Sequence, residues 1–329
     1  MLLDVQDMNV HIKTEEGDLH AVQNLSFSVD QGETLCIVGE SGCGKSITAL
    51  SLMGLLPKAA RRSATTLRFD TLDLQRLSSS EARALRGGRM GMIFQEPMTA
   101  LNPVLTVGRQ MTDVLRAHRK VSRKAAEARA IEMLERVGIG NAAHRLKQYP
   151  HELSGGLRQR VVIAMALMSE PEVIIADEPT TALDVTIQAE LLRLLADLQK
   201  SMGLALIMIT HDLGLVSRIA DRVLVMYAGQ AIEYAPAREF FARPTHPYTK
   251  GLLDSVPHDG QPRMEPLPAI PGTVPSLVGE IPGCHFRDRC LYAAEACGTR
   301  QPLAPWRPDH LVRCGRLADL DANGWRKTA

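Results

Sequence analysis

The sequence predicts an α/β fold around a mostly parallel sheet. Short apolar runs typical of buried strands recur over the first two thirds of the 329 residues, and polar or glycine-rich residues follow each run. Segments with helical spacing of apolar positions separate the runs, which is the pattern of a sheet crossed by helices. Because ligands of such sheets bind beyond the carboxyl ends of the strands, we expect the functional residues directly after the runs.

The predicted elements keep this alternation from the amino terminus onward. Residues 22–29 alternate as a strand, residues 34–38 form a buried strand before a glycine turn, and residues 46–56 are helical. Residues 173–176 and 204–209 are two further buried strands. Each of these two runs ends in polar residues, so both fit strands that carry functional groups at their carboxyl ends.

A helical insertion and a proline-rich tail complete the predicted organisation. The spacing over residues 107–138 predicts a helical block inserted in the α/β core. Six of the 19 prolines precede residue 236 and 13 follow residue 235, so we place a domain boundary near Pro236. Residues 1–235 are expected to form the α/β domain and residues 236–329 a mostly irregular extension.

Composition excludes several classes of protein. With 38 basic and 37 acidic residues, the chain lacks the basic excess of a nucleic-acid-coating protein. The longest apolar run, residues 161–168, is far shorter than the roughly 18 residues of a transmembrane helix. Asp4 follows three residues at the amino terminus with no basic region, so no secretory signal is expected. A cytosolic location follows, where six cysteines indicate metal or thiol chemistry before disulfides.

The clearest motif fits G-x4-G-K-[ST] between a predicted strand and a predicted helix. Glycines let the backbone bend so that its N–H groups face phosphate oxygens, the lysine neutralises these oxygens, and the serine hydroxyl can ligate Mg²⁺. The eight positions are Gly39, Glu40, Ser41, Gly42, Cys43, Gly44, Lys45 and Ser46.

Two more groups fit the same chemistry. Asp177 and Glu178 end a buried strand, where the first can hold Mg²⁺ and the second can polarise a water; alone, they would be a strand end with two exposed acids. Ser154, Gly155 and Gly156 open a helix as a second anion site, or else as a cap with closely packed glycines. Two anion sites on one phosphate require two subunits, so we expect a dimer with nucleotide in its interface.

Together these motifs resemble the ATP-binding subunits of ABC transporters. Residues 39–46 are similar to the Walker A motif, residues 153–159 to the signature and residues 174–178 to Walker B. Gln95 is similar to the Q-loop glutamine, residues 182–184 to the D-loop and His211 to the switch histidine. All six occur in the order typical of the family, within residues 1–235.

The resemblance implies a P-loop ATPase domain with a RecA-like mixed sheet, an antiparallel β subdomain and a helical subdomain over about residues 96–160. It implies that the phosphate loop and Ile47 bind ATP, and that Ser46, Gln95 and Asp177 hold Mg²⁺. The implied catalytic set is Lys45, Gln95, Glu178 and His211. Gln95 would sense the γ-phosphate, and His211 would hold Glu178 and the attacking water in line.

Two further segments resemble one group of these transporters, the importers of dipeptides and oligopeptides. Residues 95–103 resemble their Q-loop, and residues 246–253 resemble the start of their C-terminal extension. This implies a second ATPase subunit, two membrane permeases and an extracytoplasmic peptide-binding protein as partners, no nucleic acid, and a peripheral place on the cytoplasmic face of the inner membrane. A soluble non-transport ABC ATPase, a sensor whose metal cluster controls hydrolysis, and a nickel or glutathione importer subunit remain alternatives.

Four cysteines in the tail have the spacing C-x5-C-x6-C-x16-C. They are Cys284, Cys290, Cys297 and Cys314. The gaps fit neither common zinc spacing nor ferredoxin spacing, so zinc, an iron–sulfur cluster or free thiols remain open from spacing alone. The set resembles that of dipeptide-importer ATPases, which implies a [4Fe–4S] cluster. The nearby His246, His285 and His310 are expected to be surface residues.

Two expectations concern the nucleotide site itself. Cys36 is expected to be inert packing, whereas Cys43 beside a helix N-terminus is expected to have a lowered pKa. Residues 9–22 contain no Phe, Tyr or Trp to stack on adenine, so we expect His11, Ile12 or Val22 to pack there.

Overall fold

In the computed structural model, residues 1–96, 100–180, 184–256 and 268–323 are described. Thirteen strands in this part of the chain form two sheets. The strands are β1 (Leu3–Thr14), β2 (Gly17–Val29), β3 (Thr34–Val38), β4 (Ala60–Ser63), β5 (Thr66–Phe69), β6 (Leu72–Asp73), β7 (Met90–Ile93), β8 (Val173–Asp177), β9 (Ala205–Ile209), β10 (Arg222–Tyr227), β11 (Gln230–Pro236), β12 (Ala304–Arg307) and β13 (His310–Val312).

Eleven α-helices connect or cover these strands in the same ranges. They are α1 (Lys45–Met53), α2 (Ser79–Leu85), α3 (Val107–His118), α4 (Arg123–Arg136), α5 (Ala142–Arg145), α6 (Gly155–Leu167), α7 (Val185–Met202), α8 (Leu213–Ile219), α9 (Ala237–Ala242), α10 (Pro247–Asp254) and α11 (Leu317–Asn323). In these described ranges, no helix is both long and apolar enough to cross a bilayer.

The larger sheet has the strand order β12-β13-β11-β10-β3-β9-β8-β7. Its five strands from β10 to β7 are mutually parallel, whereas β11, β13 and β12 run antiparallel. The smaller sheet is antiparallel and consists of β2, β1, β5 and β6, with β4 paired to β1. This confirms the predicted α/β class, and the mixed sheet with an antiparallel β subdomain agrees with the family resemblance.

Both faces of the parallel strands are buried. Successive side chains of a strand point to opposite faces, so each strand contributes to two cores. In β3, Leu35 and Ile37 join a core with the antiparallel sheet and α1, whereas Cys36 and Val38 join a second core with the helices. The nearly continuous apolar runs of the sequence are therefore explained by burial on two sides. Because the strands have no free face, a ligand can bind only at their ends, and in sheets of this type it binds at the carboxyl ends.

The structure changes two predicted helix boundaries. The helix after the phosphate loop ends at Met53 because Gly54 adopts a left-handed conformation with φ 62° and caps it. The helical block over residues 107–138 is two helices, α3 and α4, separated at Arg119 to Ser122. Ser122 ends the gap as the N-cap of α4, where its hydroxyl accepts from the N–H of Ala125.

The C-terminal extension is joined to the large sheet through β13, which pairs with β11. The expectation that His246, His285 and His310 are surface residues is wrong, since all three are buried. His310 Nε2 lies 2.9 Å from the fully buried carboxylate of Glu233 in β11, which also accepts from the N–H groups of Thr245 and His246. A buried carboxylate needs these partners, so the histidines tie the extension to the cassette. The boundary near Pro236 stays a prediction.

Candidate active site

Four parallel strands of the large sheet end side by side, and each is followed by a residue group predicted to be functional. The phosphate loop follows β3, Glu178 follows β8, His211 follows β9 and Gln95 follows β7. These residues are far apart in the sequence but close in the structure, because β3, β9, β8 and β7 are neighbours in that order. The structure thus gathers the predicted residues at one edge of the sheet, as expected for this topology.

The phosphate loop bends where only glycine fits. Gly39 and Gly44 have φ values of 150° and 102°, in the region that residues with a Cβ rarely adopt. A Cβ at Gly39 would lie 2.2 Å from the carbonyl oxygen of Met226, and one at Gly44 would lie 2.4 Å from that of Ala21. The loop therefore packs directly on strand backbones, and α1 begins at Lys45 with its N-terminus facing the loop.

Lys45 folds back over the loop. Its ammonium group donates to the carbonyl oxygens of Gly39 at 2.8 Å and Glu40 at 2.9 Å, and the residue is only 5% exposed. The ammonium group has three N–H donors and can exchange these carbonyl acceptors for phosphate oxygens with little movement of the side chain. The ammonium group is thus held inside the loop that would surround the phosphates.

Ser46 and Asp177 form the oxygen pair expected for Mg²⁺. The Ser46 hydroxyl donates to Oδ1 of Asp177 at 3.0 Å, across the sheet edge between α1 and the end of β8. Burial raises the pKa of Asp177, which the hydrogen bond from Ser46 partly offsets. Hard oxygen donors in this arrangement fit Mg²⁺, because the ion prefers carboxylate and hydroxyl oxygens and would favour the ionised carboxyl.

Glu178 lies between two polar side chains from neighbouring strands. The amide of Gln95 donates to its Oε2 at 3.2 Å, and His211 Nδ1 lies 3.5 Å from the same oxygen. The backbone of Glu178 has φ 45°, unusual for a residue with a side chain, and its N–H donates to the carbonyl oxygen of Ile209 at 2.9 Å. A strained backbone persists only where the surrounding structure holds it, and such residues are common at functional sites.

The signature residues open α6, as predicted. Ser154 caps the helix by accepting from the N–H of Leu157, and a Cβ at Gly155 would meet no atom within 4 Å. In the part of the chain that the structure describes, Ser154, Gly155 and Gly156 make no hydrogen bond to the phosphate loop.

Some predicted residues lie outside the described ranges. Residues 182 and 183 of the D-loop and residues 97–99 of the predicted Q-loop motif belong to this group. Of the candidates to pack on adenine, Val22 is fully buried in the core, whereas His11 and Ile12 are half-buried. His11 contacts the ring of His20 edge to face, with centroids 4.3 Å apart, and no sequence motif marks His20.

The two cysteines of the nucleotide domain are both buried. The expected lowering of the Cys43 pKa is wrong: burial raises it, and the opposing effect of nearby Lys45 is smaller. Burial likewise raises the pKa of Cys36, as expected of inert packing. The helix N-terminus favours the thiolate of Cys43, but removing the thiolate from water disfavours it more strongly.

The four tail cysteines line one small cavity together with His246, Phe286 and Tyr292. Burial raises the pKa of Cys284, Cys290 and Cys314, and their mutual proximity adds to the effect. All four are free thiols. Among the described residues, however, no three His, Cys, Asp or Glu side chains form a group that could hold a metal ion.

Two contacts to the loop were not predicted from sequence. Arg289 and Tyr248 of the C-terminal extension both bind Glu40, through the carboxylate and the backbone N–H respectively. Tyr248 lies in the tail segment that resembles the importer extension, but no local pattern marks either residue as a neighbour of the loop. Only the fold brings them there.

Comparisons with solved structures agree with this architecture. The ATP-binding cassette MJ0796, solved as a dimer bound to ADP and Pi, superposes with a TM-score of 0.64 and 26% identity, covering 72% of this chain and 99% of that one. The cbiO1 protein of Clostridium perfringens, part of the ABC transporter complex cbiONQ, superposes with a TM-score of 0.61 and 30% identity over 74% of this chain and 91% of its own.

Sequence relatives extend over nearly the whole chain. A probable peptide ABC transporter ATP-binding protein, y4tR of Sinorhizobium fredii, is 51% identical over 97% of this chain and 96% of its own length. The dipeptide transport ATP-binding protein DppD of Bacillus subtilis is 50% identical over 95% and 94%. The oligopeptide transport ATP-binding protein OppD of Salmonella typhimurium is 48% identical over 95% and 93%.

Two family models match successive parts of the sequence. The ABC transporter model matches residues 22–181, and the model of the oligopeptide/dipeptide transporter C-terminal region matches residues 232–297. With the phosphate loop, the Mg²⁺ pair and Glu178 gathered at one sheet edge, the chain belongs to the ATP-binding, ATP-hydrolysing subunits of ABC transporters.

Proposed function

We propose that this chain hydrolyses ATP to drive the uptake of dipeptides or oligopeptides through partner membrane permeases. The observation that carries the proposal is that its similarity to DppD and OppD proteins covers both the cassette and the C-terminal extension. A soluble non-transport ABC ATPase would have no reason to carry that extension. Among transport substrates, peptides are favoured over nickel complexes or glutathione, because these relatives are named as dipeptide and oligopeptide transport proteins.

The arrangement at the sheet edge supports a division of roles. Lys45 neutralises the β- and γ-phosphate oxygens, which the N–H groups of the loop and of Ile47 also bind. Glu178 accepts a proton from the attacking water as general base, and His211 and Gln95 keep its carboxylate aligned. Ser46, Asp177 and Gln95 would hold the magnesium ion. When bound, Mg²⁺ neutralises charge that develops on the phosphate oxygens.

Dimerisation completes the site in this proposal. Ser154, Gly155 and Gly156 bind the γ-phosphate held by the other subunit, because they open a helix and, among the described residues of one chain, make no hydrogen bond to the phosphate loop. The second subunit is another ATPase of the same family, identical or related. An extracytoplasmic binding protein delivers peptide to two permeases, and this chain works on the cytoplasmic face of the inner membrane.

Uptake of a labelled dipeptide and a labelled pentapeptide tests the substrate class. Cells whose only copy of the gene carries Lys45→Ala are expected to lose uptake, because the phosphate oxygens lose their buried cation. Glu172→Gln is the control, since Glu172 precedes β8 at the other end of the sheet and pairs with Arg89. Unchanged uptake in the Lys45→Ala strain, or loss of nickel or glutathione uptake alone, would contradict the proposal.

We also propose that the cysteine cavity holds a [4Fe–4S] cluster, with zinc as the alternative. Support comes from four soft thiol ligands on one small cavity, a donor set suited to either group. When bound, the cluster supplies cross-links between four parts of a tail with little regular structure.

Metal analysis of anaerobically purified protein tests this assignment. Four iron and four sulfide ions per chain are expected, and Cys290→Ser should lower both because one ligand is lost. Cys36→Ser is the matched control, since Cys36 is a buried cysteine of the cassette. One zinc per chain without iron, or the same iron content in Cys290→Ser, would contradict the cluster.

A further inference from the structure

The phosphate loop is held from outside by the C-terminal extension. Glu40 is the second residue of the loop, and Arg289 forms a two-point ion pair with its carboxylate, from Nη1 at 2.6 Å and from Nη2 at 3.1 Å. The hydroxyl of Tyr248 accepts from the backbone N–H of the same residue at 2.9 Å. Residues 208 and 249 positions later in the sequence thus bind both the backbone and the side chain of one loop residue.

Arg289 is itself firmly placed. Its side chain is 7% exposed, and Nε donates to the carbonyl oxygen of Pro271 at 2.7 Å. Nη1 also lies 3.4 Å from the hydroxyl of Tyr227, the last residue of β10, whose ring lies beneath the guanidinium at 5.7 Å. Such a pre-arranged fork recognises a carboxylate with more geometric precision than a flexible lysine would.

The charge of Glu40 gives this contact a consequence for nucleotide binding. The carbonyl oxygen of Glu40 is one of the two that accept from Lys45, so the residue belongs to the part of the loop that faces the phosphates. An unpaired carboxylate there would repel a polyphosphate at close range, where screening by solvent is incomplete. Arg289 cancels that charge and fixes the loop at the same point.

The turn that carries Arg289 also belongs to the cysteine cavity. The 3-10 helix Arg287–Arg289 lies between Cys284 and Cys290, with Arg287 N–H donating to the carbonyl oxygen of Cys284 and Cys290 N–H to that of Arg287. Both cysteines line the cavity. The clamp on Glu40 is therefore built on the same short turn as two of the four tail cysteines.

We propose that Arg289 is a positioning residue for ATP binding: it neutralises Glu40 and holds the phosphate loop in the conformation that accepts the phosphates. Tyr248 supports the loop from the backbone side. The C-terminal extension thereby sets the affinity of the cassette for ATP, beyond any part it plays in transport. The proposal rests on the ATP-binding activity of the family and does not require a metal in the cysteine cavity.

The test is a double-mutant cycle on the full-length chain with Mg²⁺ and a fluorescent ATP analogue. Arg289→Gln should raise Kd about tenfold, because it leaves the Glu40 charge unpaired beside the phosphates. Glu40→Gln combined with Arg289→Gln should restore affinity to within about twofold of Glu40→Gln alone, because no charge is left to neutralise. KM should follow Kd, while kcat at saturating ATP stays within about threefold of wild type.

Two further variants separate positioning from a loss of folding. Arg313→Gln removes an equally buried arginine of the extension that donates to carbonyl oxygens of Ala231 and Gln301 and leaves the loop untouched. It should lower the midpoint of thermal unfolding and leave Kd unchanged. Arg289→Lys, which keeps the charge, should recover most of the affinity and covers the case in which Arg289→Gln does not fold. Wild-type affinity in Arg289→Gln, equal loss in Arg313→Gln, or failure of Glu40→Gln to rescue would overturn the proposal.

Discussion

At the scale of single residues, chemistry and conformation coincide at Glu178. Its carboxylate lies between Gln95 and His211, and its backbone adopts a left-handed φ of 45° that the hydrogen bond to Ile209 helps to hold. The strain is therefore consistent with a side chain that must be aimed, which is the usual reason for such strain at functional sites.

His246 gives a prediction on acid stability. This histidine is buried, its Nδ1 accepts from the N–H of Tyr248 at the start of α10, and burial lowers its pKa to about 4. The unfolded chain, with a pKa near 6.5, binds more protons, so stability is complete above about pH 6.5 and is lost as the pH falls toward 4.

Denaturant unfolding of wild type and His246→Asn at pH 7 and pH 4.5 measures this effect. Asparagine keeps a cap acceptor without titrating, so wild type should lose on the order of 2 kcal/mol more than the variant between these pH values. Comparing the loss within each protein removes any packing effect of the substitution itself. Identical pH dependence in the two proteins would show that this histidine does not contribute.

At the scale of elements, the sequence was sufficient wherever a local pattern determines structure. The buried strands at residues 34–38, 173–176 and 204–209 are confirmed as β3, β8 and β9, because apolar runs with polar ends have few other solutions. The break between α3 and α4 was missed, since the helical spacing continues on both sides and only the Ser122 cap marks the restart.

Contacts between distant segments were beyond the reach of sequence patterns. The phosphate loop, Gln95, Asp177, Glu178 and His211 could be assigned to one site because the strand rule places their elements at one edge. No such rule covers Arg289 and Tyr248, which reach Glu40 through the packing of an irregular extension. The buried state of His246, His285 and His310 was missed for the same reason, because their partners lie on β11 and in neighbouring loops.

At the scale of the whole molecule, the cassette and its extension form one connected structure. Strands β13 and β12 continue the large sheet. The carboxylate of Glu233 in β11 accepts from the N–H of His246 at the start of α10. Arg289, in the turn between Cys284 and Cys290, binds Glu40 of the phosphate loop. By contrast, among the described residues Ser154, Gly155 and Gly156 at the start of α6 make no hydrogen bond to the phosphate loop. The contacts between the cassette and its extension are therefore internal to this chain, whereas any contact between the signature residues and a phosphate loop belongs to the proposed dimer.

The central claim, that Glu178 drives ATP hydrolysis in a site closed by a second subunit, is tested most directly with purified Glu178→Gln protein. Phosphate release and molecular mass in Mg²⁺ and ATP are measured on the same sample, with Glu172→Gln as the control at the other end of β8. We expect release to fall by about 10² to 10⁴, the usual share of a general base. ATP should stay bound and the mass should be that of a dimer. Turnover close to wild type, or an ATP-bound monomer, would contradict the account.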